Sequence, residues 1–369
     1  MKRTAPIKVL LVDDSPMVRT VLAHCLSGHE AIEVVGGAKD AFEARELIIQ
    51  HHPDVIILDI ELPRMDGLTF LRKLMAHYPV PVIMCSGTTP SRGHTALEAI
   101  EIGAVDVVAK PVGGSDALKR LGEELADKIL AAAASRPRTP PIPAAAAIPA
   151  SFRAAGLNPD RYLVAIGAST GGTEAIRQVL MCVPEDFPPV AMVQHMPAGF
   201  TQSFAARLDQ AGPLRVSEAA GGEVLESGMA VLARGGVQMR LRWRGDHWVT
   251  VQGDAAPVNR HCPSVDVLFN SIADADVDGR HVIGVLMTGM GADGARGLLR
   301  LHEAGALTLA QDQVSCVVYG MPKVAVEIGA AEAQCSPAEL PQTILRLMMA
   351  RESARSAGIH EWRRKAQGT

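Results

Sequence analysis

Short runs of consecutive apolar residues alternate along most of the chain with longer stretches in which apolar positions recur every three or four residues. In the first part the runs are IKVLLV, IEVVGGA, DVIILDI, PVIMCS and DVVAK, separated by stretches such as AFEARELIIQ and LTFLRKLMAHY. Mostly apolar runs of this length fit strands buried on both faces, and the three-to-four spacing fits helices with one apolar face. Five such repeats predict a doubly wound α/β unit with a parallel sheet. The alternation resumes in RYLVAIGA, PPVAMVQHM, HVIGVLMTG and GALTLAQD, which predict a second sheet of the same kind. Within that half, VQMRLRWRGDHWVTVQG alternates apolar and polar residues around Gly245-Asp246 and predicts an inserted β-hairpin.

The two halves are joined by SRPRTPPIPAAAAIPASFRAAGLNP, rich in proline and alanine and without periodicity, which reads as a linker. The expected organisation is a first domain over 1–132, a linker over 133–158, a second domain over 159–350 and a polar tail over 351–369. With 369 residues, each half is long enough to bury its own core. The apolar share of 48% is ordinary, and a net charge of -4 gives no general reason to expect nucleic-acid binding. Six cysteines stand singly without a C-x-x-C pair, so they read as free thiols rather than a disulfide or zinc framework. The N-terminus MKRTAPIKVLLVDD lacks the apolar core of a signal peptide, and no apolar run reaches the ~20 residues of a membrane helix. The expected compartment is the cytoplasm.

In an open parallel sheet, ligands bind beyond the carboxyl ends of the strands. Asp13 and Asp14 end the first strand of the first half, Asp59 the third, Ser86 the fourth, and Lys110 the fifth. Single acids at strand ends can be solvated caps. Three together repel one another unless a cation joins them, and such an oxygen-rich site suits Mg²⁺. A phosphoryl group on Asp59 would find the metal, the Ser86 hydroxyl and the Lys110 ammonium around it.

The segments LLVDDS, DVIILDIELPRMDG, VIMCSG and VVAKP resemble the response-regulator receiver family. The resemblance implies a flavodoxin-like (βα)5 fold, with Asp59 accepting a phosphoryl group from a histidine kinase. It also implies Mg²⁺ bound by Asp13, Asp14, Asp59 and the carbonyl of Glu61, and Ser86 and Lys110 sensing the phosphoryl group. Val107 departs from the pattern, standing where many receivers carry an aromatic switch residue.

In the second half, AIGASTGG follows a strand and precedes a helix pattern, and it admits three meanings. A nucleotide loop requires an acid at the end of the next strand to hold a ribose, but that strand ends in Gln194 and His195, and the spacing is not G-x-G-x-x-G. An α/β-hydrolase elbow fits the local G-x-S-x-G, but there several strands precede the serine and the acid precedes the histidine. The third meaning is a hydrolase of different chain order. Ser169 would be the nucleophile, His195 on the next strand its base, and Asp293 in the loop of MTGMGADGARG the group orienting that base. Each alone has a plain role, Asp293 and Ser169 as helix caps and His195 as a packed residue. Their joint placement at strand ends favours catalysis. The amides of Thr170 and Met290 would then face the developing oxyanion.

AIGASTGGTEAI, VQHMPAGFT, NRHCPSVDVLF and MTGMGADGARGLL together resemble the catalytic domain of the chemotaxis protein-glutamate methylesterases, whose receiver, linker and effector order this chain matches. The resemblance implies a phosphorylation-activated esterase that removes methyl groups from glutamyl methyl esters of chemoreceptor cytoplasmic helices. It further implies glutamine deamidation by the same acyl chemistry, no cofactor in the catalytic half, and a receiver that packs over the active site when inactive. Cys262 stands where the family pattern has arginine, and His261 and Asp266 are read as pocket walls outside the triad. The competing class is a receiver controlling a nucleotide-sensing or protein-docking module. A DNA-binding regulator is disfavoured by the acidic balance and the lack of a helix-turn-helix pattern.

Overall fold

The computed structural model describes residues 5–87, 90–110, 115–135 and 151–366. Its N-terminal half runs β1 (Ile7–Val12), α1 (Pro16–Leu26), β2 (Ile32–Ala38), α2 (Ala41–His51), β3 (Val55–Asp59), α3 (Gly67–His77), β4 (Val82–Ser86), α4 (Pro90–Ile102), β5 (Asp106–Ala109) and α5 (Ser115–Ala134). The five strands are parallel in the order β2-β1-β3-β4-β5, as the apolar runs predict. Reversal of strand order at β1 and β3 opens the crevice in which Asp13 and Asp59 lie. Helices here begin on side-chain caps: Ser15 for α1, Asp40 for α2 and Asp66 for α3.

The C-terminal half contains β6 (Leu163–Ala168), α6 (Gly172–Met181), β7 (Val190–Gln194), α7 (Phe200–Ala211), β8 (Arg215–Glu218), β9 (Val224–Leu225) and β10 (Met229–Leu232). It continues with β11 (Met239–Arg244), β12 (His247–Gln252), α8 (Val265–Ala273), β13 (Val282–Leu286), α9 (Ala295–Glu303), β14 (Leu307–Gln311), α10 (Met321–Glu327), β15 (Ala333–Cys335) and α11 (Leu340–Ala366). Seven parallel strands form one sheet, ordered β15-β14-β13-β6-β7-β10-β8. The four long apolar runs are its centre. The three remaining strands are only three or four residues long, and RVSE carries no apolar run at all. The hairpin β11–β12 turns at Gly245, whose φ of 64° suits glycine, and β9 adds a third strand to it.

Three segments differ from the expected boundaries. Helix α5 runs to Ala134, and most of the proline-rich stretch lies outside the described residues. Phe152 is fully buried edge-on to Phe187, with ring centroids 5.3 Å apart, and Asp186 accepts hydrogen bonds from Ser151 Oγ and the Phe152 amide. Packing therefore begins before residue 159. At the other end α11 continues to Ala366. No helix among the described residues is long and apolar enough to cross a membrane.

The halves are packed together. Helix α4 lies on α7, and Leu97 and Phe204 are buried in one apolar cluster that draws on both sheets. Gly93 permits the close approach, since a Cβ there would lie 2.9 Å from Ser203 Oγ. Arg207 pairs with Glu101, and Arg260 with Asp127 at 2.9 Å, across the same boundary.

Candidate functional site

In the N-terminal crevice Asp13 and Asp59 are buried at 1% and 2% exposure, whereas Asp14 is exposed. Oxygens of all three lie within 4.8 Å of one another, a donor set that fits a hard divalent cation. Lys110 Nζ lies 2.6 Å from Asp59 Oδ2 and 2.9 Å from Asp13 Oδ2. Burial pushes the Asp59 carboxyl above its ordinary value against the pull of Lys110, and Asp13 adds repulsion. Burial also opposes the charge on Lys110, but Asp13 and Asp59 outweigh it and hold the ammonium above its usual range. Ser86 is buried at the end of β4, and Glu61 follows β3 in an open cleft of 620 Å³ with Asp14 and Thr95 on its walls. Val107 is buried in β5, and it is its neighbour Asp106 that reaches the other half of the molecule.

In the C-terminal sheet β6 lies between β13 and β7. The register Ala168↔Gln194 sets Ser169 and His195 side by side just beyond the paired ends, and His195 N–H donates to Ala168 O at 3.0 Å. On the other flank Ser169 N–H donates to Thr288 O at 2.9 Å, anchoring the serine to the loop that leads to Asp293. A left-handed glycine caps each of the three helices that follow, Gly171 for α6, Gly199 for α7 and Gly294 for α9, with no side-chain cap. Ser169 and Asp293 are thus relieved of the capping roles each could have played.

His195 Nε2 lies 2.9 Å from Asp293 Oδ2. Asp293 also accepts from Ser264 Oγ, the Val265 amide and Asn259 Nδ2, all at 2.7 to 2.8 Å. Burial raises the Asp293 carboxyl, but these donors and His195 outweigh it and hold the group well below its ordinary value. An ionised Asp293 accepting at Nε2 places the proton of the neutral ring there and leaves the lone pair at Nδ1. That nitrogen is buried without a hydrogen-bond partner, so the bond to Ser169 Oγ is not formed in this state.

Among the described residues neither the Thr170 nor the Met290 amide donates a hydrogen bond, so both remain available to an oxyanion. Gln194, the residue a nucleotide site would need as an acid, is buried and donates to Ser169 O at 2.9 Å. It braces the serine turn. His261 and Asp266, read from sequence as pocket walls, belong to the same network. The His261 ring stacks on His195 with centroids 3.7 Å apart, and Asp266 shares Asn259 Nδ2 with Asp293. No spacing rule marks them, because their contacts arise from a loop with Asn259 and Arg260 in the left-handed region. Cys262 is half-buried in that loop, and the guanidinium there that crosses to the N-terminal half is Arg260.

The N-terminal half closes over this site. Thr170 Oγ1 donates to Asp106 Oδ2 at 2.6 Å, and Lys128 Nζ holds Asp106 Oδ1 at 3.0 Å. Burial works against the Lys128 charge, but Asp106 and Glu124 outweigh it and raise its proton affinity. Ser169 is only 9% exposed beneath this contact.

Residues 164–344 match the family model described as CheB methylesterase, and residues 9–122 match the response regulator receiver domain. A protein-glutamate methylesterase/protein-glutamine glutaminase 2 of Bordetella avium is 52% identical over 328 residues, covering 88% of this chain and 93% of that protein. One of the same description from Hahella chejuensis is 47% identical, covering 92% of this chain and 96% of that protein. The crystal structure of the Thermotoga maritima CheB methylesterase catalytic domain is 33% identical at a TM-score of 0.49, covering 50% of this chain and 98% of that one.

Proposed function

This chain belongs to the CheB methylesterase family, and on that premise we propose that it hydrolyses glutamyl methyl esters on the cytoplasmic helices of chemoreceptors, releasing methanol. Deamidation of receptor glutamines, with ammonia as leaving group, uses the same steps. The observation that carries this reading is the His195–Asp293 hydrogen bond beside Ser169 on paired strand ends.

His195 Nδ1 takes the Ser169 Oγ proton as the oxygen attacks the ester carbonyl. The negative charge that develops on the carbonyl oxygen is met by the Thr170 and Met290 amides. Collapse of the tetrahedral species breaks the bond to the methoxy group, which leaves as methanol with the proton from Nδ1. Water, deprotonated at the same nitrogen, then attacks the acyl-serine; the bond to Ser169 Oγ breaks as Oγ takes that proton back, and the glutamate side chain is released. Asp293, ionised throughout, holds the tautomer and offsets the imidazolium charge.

Control resides in the N-terminal half. Asp59 accepts a phosphoryl group from a histidine kinase, and Ser86 and Lys110 bind its oxygens. Mg²⁺ held by Asp13, Asp14, Asp59 and the Glu61 carbonyl would neutralise the charge gathered there. Drawing Lys110 to the phosphoryl group removes it from its bridge between Asp13 and Asp59, next to β5, whose Asp106 closes the esterase site. The division into a receiver domain and an esterase domain and a cytoplasmic site of action belong to the same reading.

Methanol release from methylated receptor membranes tests it, with wild type, Ser169→Ala and Asp59→Asn, each with and without a small-molecule phosphodonor. Release should vanish in Ser169→Ala, and the donor should stimulate wild type alone. Release persisting in Ser169→Ala refutes the mechanism. Equal stimulation of Asp59→Asn refutes the switch.

A further inference from the structure

We propose that His261 is a positioning residue for the reaction, fixing the plane of the His195 ring by stacking on its face. This rests on the reading of Ser169, His195 and Asp293 given above. The hydrogen bond at Nε2 acts as a hinge, and with Nδ1 unpartnered nothing polar among the described residues stops the ring turning about it. The His261 ring supplies the missing constraint, 3.7 Å away and within 9° of parallel.

His261 is itself firmly held. Its amide and carbonyl exchange 2.9 Å hydrogen bonds with Val258, and Gln238 Nε2 donates to the same carbonyl at 3.0 Å. Between these anchors Asn259 and Arg260 take φ values of 51° and 70°, which side-chain-bearing residues adopt rarely. Such strain persists only where surrounding contacts impose it, and it gathers at functional sites. Here it aims Asn259 at Asp293 and His261 at His195, so one turn holds both the acid and the ring.

The stack also suits the charge that His195 acquires. Burial, and then the neighbouring His195, push His261 down to about 3, with Arg260 and Lys128 adding repulsion and Asp293 opposing them. His261 therefore stays neutral at working pH and offers a π face, not a second cation, to the imidazolium that forms during acyl transfer.

The test uses the full chain, activated by a phosphodonor, in methanol release from methylated receptor membranes over a range of pH. His261→Ala should lower kcat by about tenfold or more while KM changes by less than about threefold, since misplacement of a catalytic group is costly in rate rather than in binding. Its acid limb in the kcat/KM profile should be displaced from that of wild type. His261→Phe, which keeps a flat ring and no titrating nitrogen, should recover most of kcat and the wild-type limb. Wild-type kcat and profile in His261→Ala overturn the proposal. So does an equal loss in Ala and Phe, which would mean that the imidazole nitrogens matter rather than the plane. If His261→Ala does not fold, His261→Phe decides alone: near-wild-type kcat supports stacking and a loss of tenfold or more refutes it. Ser169→Ala is run alongside. Activity surviving there defeats the underlying triad reading, a result distinct from an active His261→Ala beside an inactive Ser169→Ala.

Discussion

Asp106, the first residue of β5, accepts a 2.6 Å hydrogen bond from Thr170, the residue after the candidate nucleophile. A carboxylate of one half thus occupies the turn whose amide would serve the other half's reaction. A hydrogen bond to a charged group contributes about 1.5–3 kcal/mol, so Asp106→Ala should raise methanol release by the unphosphorylated chain about tenfold or more. Lys128→Met combined with it avoids leaving a buried ammonium without its nearest carboxylate. Unchanged basal release in the double variant would show that this contact does not restrain the enzyme.

The same contact should be insensitive to pH near neutrality. Lys128 is raised above its ordinary 10.5 in the folded protein, so its contribution is full below that value and is lost only as pH rises through the folded one. Between about pH 6 and 9 the ratio of unphosphorylated to phosphorylated activity should therefore stay flat. A ratio climbing steadily over that range would assign closure to another group.

The Arg207–Glu101 pair across the boundary is partly exposed, Glu101 at 48%, so it should contribute no more than about 1 kcal/mol. Glu101→Arg should raise basal release by about two- to fivefold, and adding Arg207→Glu should restore most of the restraint. High salt should act in the same direction as the single variant. A double variant as active as Glu101→Arg would remove the pair from the account.

Asp293→Asn should lower kcat on the order of 10⁴-fold, because an amide cannot hold the Nε2–H tautomer as the carboxylate does. Folding should respond too. The Asp293 carboxyl is held below its ordinary 3.8, so its stabilisation is present above that value and is lost as pH falls below it. Acid unfolding curves of wild type and Asp293→Asn should be well separated above about pH 4 and draw together progressively as pH falls from there towards the lower folded value. Parallel curves at all pH would contradict the assignment.

Gly289→Ala tests the packing beneath the serine. Its Cβ would lie 2.6 Å from Ser169 Cβ and would also run into Met321 Sδ. Overpacking of this kind costs about 1–3 kcal/mol, so Tm should fall and labelling of Ser169 by a fluorophosphonate should slow sharply. Normal labelling with a lowered Tm would mean that the serine turn absorbs the strain.

Much of this arrangement is legible along the chain. The long apolar runs define β1, β3, β4, β6, β7, β13 and β14, because a strand buried on both faces reads as a nearly continuous apolar run. Acids, serine and histidine stand out at their ends because a parallel sheet gathers its chemistry there. The short strands β8, β10 and β15 escape notice, since three or four residues cannot display a period.

Apolar patterning and strand-end chemistry are local properties, and reading along the chain recovers two parallel sheets, acids gathered at strand ends, and the order Ser169, His195, Asp293. That β6 lies between β13 and β7, that His261 stacks on His195, and that Asp106 meets Thr170 across 64 residues of chain emerges only when the chain folds. Periodicity reports how one segment faces its own core. It carries no record of which distant segment comes to rest against it.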